Sequence, residues 1–388
     1  MLPQAPISRD RMTSVDLGDY DAAIIGGGLA GCSLAIQLAT RGYRIILFEK
    51  QTYPAHKLCG EFLSVEVQAM FQQLHVLDAV MEAGAHPITK TRVTSPSGQA
   101  FEAHLPGTAL GLSRFRLDQL LAEKAASQGV LVRDGSLVSE VGGSYAHGFS
   151  IHTKKEHCQA KLVLGAWGKR GVLDRKLARP FMQKASPVAA FKAHFRGVAI
   201  PNYIELHAFA GGYCGLSHVE DGVVNACWIT TVDALKASGG SPTGMMEGVM
   251  ASNPELKARF EKMHNVMGGF KAVGQVTFAQ KGLFDGNVMM VGDTTGMIAP
   301  LCGDGMAMAL TGADLAAPLV SKYLDDMLSA EAMKRAYQRA WTRTFRWRLR
   351  LGSLLHGLYI QPTLSNAGVR LCNHLPSLAR WLIRNTRG

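Results

Sequence analysis

The sequence of 388 residues holds no uninterrupted apolar run of the ~18–20 residues that a helix needs to cross a bilayer. It has no Asp or Glu after Glu331, although eleven Lys or Arg follow. Residues 1–331 carry 30 bases against 30 acids, so the whole net charge of +11 belongs to the C-terminal stretch. Such an excess points to an anionic partner. The seven cysteines (Cys32, Cys59, Cys158, Cys214, Cys227, Cys302 and Cys372) include no CxxC pair. That argues against a disulfide framework and against a structural zinc site, and no metal is expected. Nor is there a cysteine set for an iron–sulfur cluster. A reducing, cytoplasmic setting is expected. No apolar run precedes Asp19, so no signal peptide is expected, and Met12 is a candidate start. No internal repeat or low-complexity tract is present.

Hydrophobic residues make up 47% of the chain, enough for a sizeable core, and the length exceeds one core's worth. Residues 21–26 read as a short buried strand, 29–40 as a helix and 44–49 as a second buried strand, which together make a βαβ unit with a parallel sheet. A helix is expected over 64–83 with Ser64 as its cap, and another over 117–126. Strands are expected at 130–138, 149–153 and 162–164. The alternating segments 191–196, 204–209 and 223–231 predict a mostly antiparallel sheet. A polar helix is expected over 254–263, a strand at 288–291 and a long helix over 306–323. The remainder reads as helical, with breaks at Gly352, Gly357, Pro362 and Pro376.

The turn between the first strand and helix carries GxGxxG as Gly26-Gly27-Gly28-Leu29-Ala30-Gly31. Gly26 permits the tight turn, Gly28 lets backbone approach a pyrophosphate, and Gly31 lets the helix pack on the strand. The N–H groups at that helix start, Leu29 and Ala30 among them, offer an anion site. Glu49 closes the second strand eighteen residues after Gly31, placed to accept ribose hydroxyls, with Lys50 beside it. Strand, glycines, helix, strand and acid occur in order, which marks a dinucleotide site.

The far segment decides which dinucleotide. Residues 288–291 run into Gly292-Asp293, followed by Thr294-Thr295-Gly296, Pro300 and Gly303-Asp304-Gly305-Met306. This segment resembles the flavin-contacting part of FAD-dependent aromatic-ring hydroxylases and geranylgeranyl reductases. The resemblance implies that Asp293 binds the ribityl or pyrophosphate part of FAD and that residues 300–305 lie along the isoalloxazine. Cys59-Gly60-Glu61 resembles the Cys-Gly loop of the reductase branch, which implies a place for Cys59 on the substrate side of the flavin. Arg114, with Leu117 and Leu121, is similar to an Arg at a helix start that helps hold the cofactor; Arg116 is the alternative. The resemblance covers residues 20–315.

Two departures bear on function. Trp167 stands in Gly165-Ala166-Trp167-Gly168-Lys169-Arg170 where these families carry an Asp tied to NAD(P)H use. Tyr213-Cys214-Gly215-Leu216-Ser217 keeps only the Tyr of the reductases' YxWxFP stretch. The absence of WxWxIP argues against a flavin-dependent halogenase.

The expected fold is α/β with two lobes: a Rossmann-like FAD-binding lobe (19–85, 110–180, 270–325), an inserted antiparallel substrate lobe (86–109, 181–269) and a helical basic C-terminal region (326–388). Cys59, Tyr213 and Cys214 are the pocket candidates for catalysis, with His207 and His218 as acid–base groups. Residues 187–228 are apolar and suit a hydrophobic small molecule. The expected activity is an FAD-dependent monooxygenase of a hydrophobic aromatic or polyketide-like compound, with NAD(P)H as electron donor. The alternatives are a reductase of isoprenoid double bonds and a flavin electron-relay protein. Residues 343–388 mix Trp, Leu and eight Arg, the composition of an interfacial helix, so peripheral attachment to the inner membrane face is expected. No nucleic-acid partner is expected.

Overall fold

The computed structural model describes residues 14–278 and 280–385. The expectations for the start of the chain, including Met12, and for the last three tail residues lie outside the described residues.

The apolar run at 21–26 is the end of the strand Val15–Ile25. Ala22 and Ile24 face one hydrophobic core, and Ala23 and Ile25 face another. Both faces are covered, which explains the unbroken apolar reading. The helix Leu29–Thr40 and the strand Ile45–Phe48 complete the βαβ unit in parallel register, Ala22 opposite Ile45. Leu131–Arg133 extends this sheet on one side, and Glu156–Gly165 then Val288–Met290 on the other, all parallel. A hairpin, Glu140–Ser144 with Gly148–His152, adds antiparallel to Glu156–Gly165. The chain therefore leaves the sheet after Gly165 and rejoins it near residue 284. The helices Arg114–Ser127 and Gly305–Leu324 pack with Leu29–Thr40 over one face.

The second sheet has nine strands. Its pairings are antiparallel except where Tyr203–Phe209 runs parallel to His86–Thr94. Val188–Arg196, Val224–Thr231, Gly212–His218 and Tyr203–Phe209 form its centre. Arg179 braces the junction between the sheets. Its fully buried guanidinium pairs with Asp174 at 2.9 Å and Asp285 at 3.0 Å and donates to the carbonyls of Lys281, Gly282 and Thr294. The fold is thus the α/β, two-sheet arrangement expected, with a helical C-terminal part.

Three local expectations are corrected. The single helix over 64–83 is two, Val67–Gln73 and Leu77–Glu82, broken where His75 adopts φ +53°. Leu74 and Val76 are both buried, yet in one straight helix they would lie about 200° apart, so the break is what buries both. The strand over 130–138 shrinks to Leu131–Arg133, because Gly135 turns the chain at φ +65°. In the tail, Ala330–Tyr359 runs straight through Gly352 and Gly357. A Cβ at Gly352 would stand 3.0 Å from Ile298 and 3.1 Å from the Cys302 sulfur, so this glycine serves close packing rather than a break. Helix starts at Pro362 and Pro376 agree with the expected breaks.

Candidate functional site

The glycine turn is built for close approach. Gly26 has φ +113°, and a Cβ there would overlap the Ala166 carbonyl. A Cβ on Gly31 would overlap the Gly26 carbonyl oxygen, so Gly31 is what seats the helix on the strand. Gly28 differs: its φ of −89° suits any residue, and a Cβ would meet only the end of Arg114, at 3.1 Å. The protein itself does not require glycine at 28, and the space it leaves faces the cavity described below.

Glu49 is buried and accepts the Gly27 N–H at 3.0 Å, the Gln51 N–H at 3.0 Å and Lys57 Nζ at 2.8 Å. Burial would raise its carboxyl, but Lys57 and the two N–H groups more than offset this and hold it below the ordinary value. Arg114 opens its helix behind the Ser113 cap, whose hydroxyl accepts the Arg116 N–H at 3.1 Å. Its guanidinium meets Asp118 through two bonds of 2.5 and 2.7 Å, one turn on. Burial opposes its charge, and Asp118 more than restores it. Arg116 is exposed and faces away.

The second half of the site arrives from the far end of the chain. Gly292 has φ +65°, and a Cβ there would press on Ala30 at 2.8 Å. Its bare backbone lets this loop touch the first helix. Lys281 supports the loop, donating to the Asp293 carbonyl at 3.0 Å and the Lys169 carbonyl at 2.7 Å. Burial lowers the Lys281 ammonium to about 8. Pro300–Cys302 is one 3-10 turn, and Gly303 follows at φ +68° before the helix with Met306 near its start.

Between the two halves lies a cavity of about 500 Å³. Gly26, Gly28, Leu29, Ala30, Glu49, Lys50 and Arg114 line it from one side, and Asp293, Pro300, Gly303, Gly305 and Met306 from the other. Gly31 and Gly292 stand behind this lining and set its shape. A helix start, an anionic Glu49 and side-chain-free backbone in sequence fit a dinucleotide.

The same cavity continues along the second sheet. Ala190, Ile204, Leu206, Ile229, Val273, Val276, Met297 and Leu301 form an aliphatic wall. Cys59 lines the cavity as expected. Tyr213 and Cys214 do not, and both are corrected. Tyr213 lies behind the wall, where its hydroxyl accepts the Leu301 N–H at 2.9 Å. Cys214, next along the strand, points to the opposite face and packs in the core with Phe209 and Trp228. A second thiol that reaches the cavity is that of Cys227, which burial pushes up to about 12. The alternation Cys227, Ile229 in one strand was the available signal. His207 is held by Thr94 at 2.8 Å and Glu205 at 3.1 Å, and His218 accepts the Ile200 N–H at 3.0 Å; neither reaches the cavity. Trp167, Lys169 and Arg170 line it. Lys169 donates to the Leu58 carbonyl at 2.6 Å, and Arg170 donates to Gln275.

Tyr213→Phe is expected to strand the Leu301 N–H, at a cost of about 1–3 kcal/mol. The strain falls on the turn Pro300–Cys302. The variant should keep its fold and bind FAD more weakly, by roughly tenfold, in a fluorescence titration.

Where the dinucleotide end meets the aliphatic wall stands Glu61, which sequence reading passed over. It is fully buried, lines the cavity, and adopts φ +54°. Such a conformation costs a non-glycine residue about 1–3 kcal/mol and needs partners to hold it. One carboxylate oxygen accepts Lys192 and the Arg114 N–H (2.6 Å), and the other meets His194 Nε2 at 2.6 Å. Lys192 also donates to the Lys57 carbonyl at 3.2 Å. Burial would raise the Glu61 carboxyl, but Lys192 and His194 more than offset it and keep it anionic. His56 meets His194 edge-on, with ring centres 5.0 Å apart. Burial, then the Lys192 and His194 charges, lower the His56 imidazole to about 4, so it is neutral at physiological pH. Two pairs of residues distant in sequence, His56 with Glu61 and Lys192 with His194, thus form one polar cluster, which no local motif announces.

A family model described as an FAD binding domain matches residues 19–326. Among curated proteins, the chain is similar to Conditioned medium factor receptor 1 of Dictyostelium discoideum, 23% identical over 84% of this chain and 68% of that protein. It is also similar to menaquinone reductase of Mycolicibacterium smegmatis, 24% identical over 78% and 76% respectively. Among solved structures, the flavin-dependent brominase Bmp2 superposes with a TM-score of 0.79 at 19% identity, covering 95% of this chain and 93% of that one. PqsL from Pseudomonas aeruginosa, described as a probable FAD-dependent monooxygenase, gives 0.70 at 17% identity, covering 90% and 99%. At these identities the structures speak for the fold.

Proposed function

This chain belongs to the FAD binding domain family, as an FAD-dependent oxidoreductase, and from that membership we propose that it is a monooxygenase. Its proposed substrate is an electron-rich aromatic compound carrying an apolar body. The observation that carries this reading is the two-ended substrate side of the cavity: an aliphatic wall on the second sheet, and Glu61 held anionic where that wall meets the dinucleotide end. A carboxylate kept ionised can accept a hydrogen bond but has no proton to donate. An electron-rich phenol is oriented by such an acceptor, whereas saturation of a double bond needs a proton delivered.

The residues divide the work. Gly26, Gly28, Leu29 and Ala30 offer backbone to the pyrophosphate, Glu49 the ribose acceptor, and Arg114, Asp293 and the turn Pro300–Cys302 hold the rest of the cofactor. Bound there, FAD would supply the redox chemistry between NAD(P)H and dioxygen, one oxygen atom going to the ring and the other to water. Lys169 and Arg170 are the cations for a donor phosphate in the absence of the usual Asp. Glu61 accepts a hydrogen bond from the phenolic hydroxyl and so orients it, with His194 and His56 beyond it. The aliphatic wall excludes water and seats the apolar body.

A second reading, reduction of an isoprenoid double bond, is favoured by Cys59 on the cavity wall. Heavy-isotope dioxygen separates the two. Holoenzyme supplied with NADPH and a long-chain phenol should give a product containing one labelled oxygen. A polyprenyl compound that gains two hydrogens, with no labelled product from any phenol, would replace this reading with the second.

A further inference from the structure

We propose that the outer face of the C-terminal helices is a docking surface for an anionic lipid bilayer. This goes beyond the reaction proposed above and does not depend on it. The three helices Ala330–Tyr359, Pro362–His374 and Pro376–Asn385 each bury one face against the body. Tyr359 and Val369 pack in one cluster with Ala190, Ile229, Val276 and Met297, which line the cavity. Ile383 packs with Phe62 and Ile88. These helices therefore back the cavity wall.

Their opposite faces carry apolar side chains that nothing among the described residues covers. On the first helix Trp347 is 59% exposed, Leu354 60% and Leu358 41%. With Arg343 and Arg350 these fall at intervals of three or four residues, one stripe of the helix. Leu364 and Leu371 continue the surface on the second helix, and Leu375 and Trp381 (49% exposed) at the third. Seven of the fourteen exposed large apolar residues of the described structure fall in this one region, which rules out a random scatter.

Charge selects the occupant. No acid follows Glu331, so the exposed Arg343, Arg346, Arg350, Arg370, Arg380 and Arg384 meet no opposing carboxylate on these helices. Arg348 turns inward instead, to Asp304 at 3.3 Å. A second copy would bring the same positive face against itself. Exposed Trp and Leu among Arg suits the headgroup boundary of an anionic membrane, where apolar groups enter and guanidinium groups meet phosphate. No helix among the described residues is long and apolar enough to cross, so the contact is superficial. A hydrophobic substrate dissolved in that bilayer would then lie against the helices that back the cavity.

The test is partition of the full-length holoenzyme onto vesicles of phosphatidylcholine with and without one-third phosphatidylglycerol. Binding is expected only to the anionic vesicles and should weaken with salt. The variant Arg343→Gln/Arg346→Gln/Arg350→Gln should lose roughly a hundredfold in partition, at about 1 kcal/mol per charge near the surface. Trp347→Ser/Leu354→Ser should lose binding while keeping flavin content and melting temperature. Equal partition onto both vesicle types, or partition unmoved by either variant, would overturn the proposal. So would a wild-type dimer in light scattering that Trp347→Ser/Leu354→Ser converts to monomer, since a second copy would then be the occupant.

Discussion

Gly28→Val is expected to yield a folded protein that purifies without its yellow colour. Gly28 has an ordinary φ of −89°, and a Cβ there meets only the tip of Arg114 at 3.1 Å. The chain can accept the side chain; a pyrophosphate approaching the turn cannot. Losing two charge-assisted hydrogen bonds, each worth about 1.5–3 kcal/mol, weakens FAD by on the order of a hundred- to ten-thousandfold. Gly31→Val supplies the contrast. Its branches would drive into the Gly26 carbonyl, so that variant should lose fold and flavin together. Absorbance near the flavin bands, with circular dichroism and a melting curve, separates the two. A Gly28→Val protein with full FAD occupancy would remove the turn from the cofactor site.

Glu61→Leu should be strongly destabilising. It leaves Lys192, itself fully buried, with no carboxylate. Breaking a buried pair on one side costs about 3–5 kcal/mol, a fall in melting temperature on the order of ten degrees. Removing both charges in Glu61→Leu/Lys192→Met should recover most of that loss. Glu61→Gly is informative because it relieves the φ of +54°. If backbone strain dominated, that variant would be the more stable protein; the ion pairs predict the less stable one. The pH dependence has a definite sign. The folded Glu61 carboxyl lies below its ordinary value, since Lys192 and His194 more than offset burial. Its stabilisation is therefore complete above the unfolded glutamate value of about 4.3 and is lost as pH falls through the depressed folded value. Thermal melts of wild type and Glu61→Gln between neutral and acid pH should converge at the acid end.

The cofactor side of this chain was legible because its signals are local. Gly26, Gly28, Gly31 and Glu49 sit within one βαβ unit, and Gly292 to Met306 within one strand, turn and helix. Each segment names its own conformation, and the pairing of the two follows from their chemistry. The substrate side was not legible in the same way. Cys59 was found because it lies in a recognisable loop. Cys214 was misplaced because strand register decides which face a side chain takes, and adjacent residues take opposite faces; Tyr213 takes the cavity-side face with Ile229 but lies behind Leu301, a tertiary contact that the strand pattern does not record. Cys227 was missed for the same reason as Cys214. Glu61, Lys192, His194 and His56 meet only after two sheets are assembled, and no spacing in the sequence records that. The helix breaks expected at Gly352 and Gly357 failed differently. At Gly352, tertiary packing on Ile298 and Cys302 outweighed the weak helix propensity of glycine; Gly357 has open space around it, and its cost of about 1 kcal/mol is too small to break a long helix.

On the function proposed above, cofactor and substrate share one cavity, joined where Glu61 stands. The most direct test of this is the visible spectrum of the holoenzyme titrated with a long-chain phenol, in wild type and in Leu206→Trp. Leu206 lines the aliphatic wall, away from the glycine turn. A saturable shift of the flavin bands is expected in wild type, and in Leu206→Trp full flavin content with the shift abolished. An unchanged shift in Leu206→Trp would contradict the shared cavity, and the substrate would have to bind elsewhere.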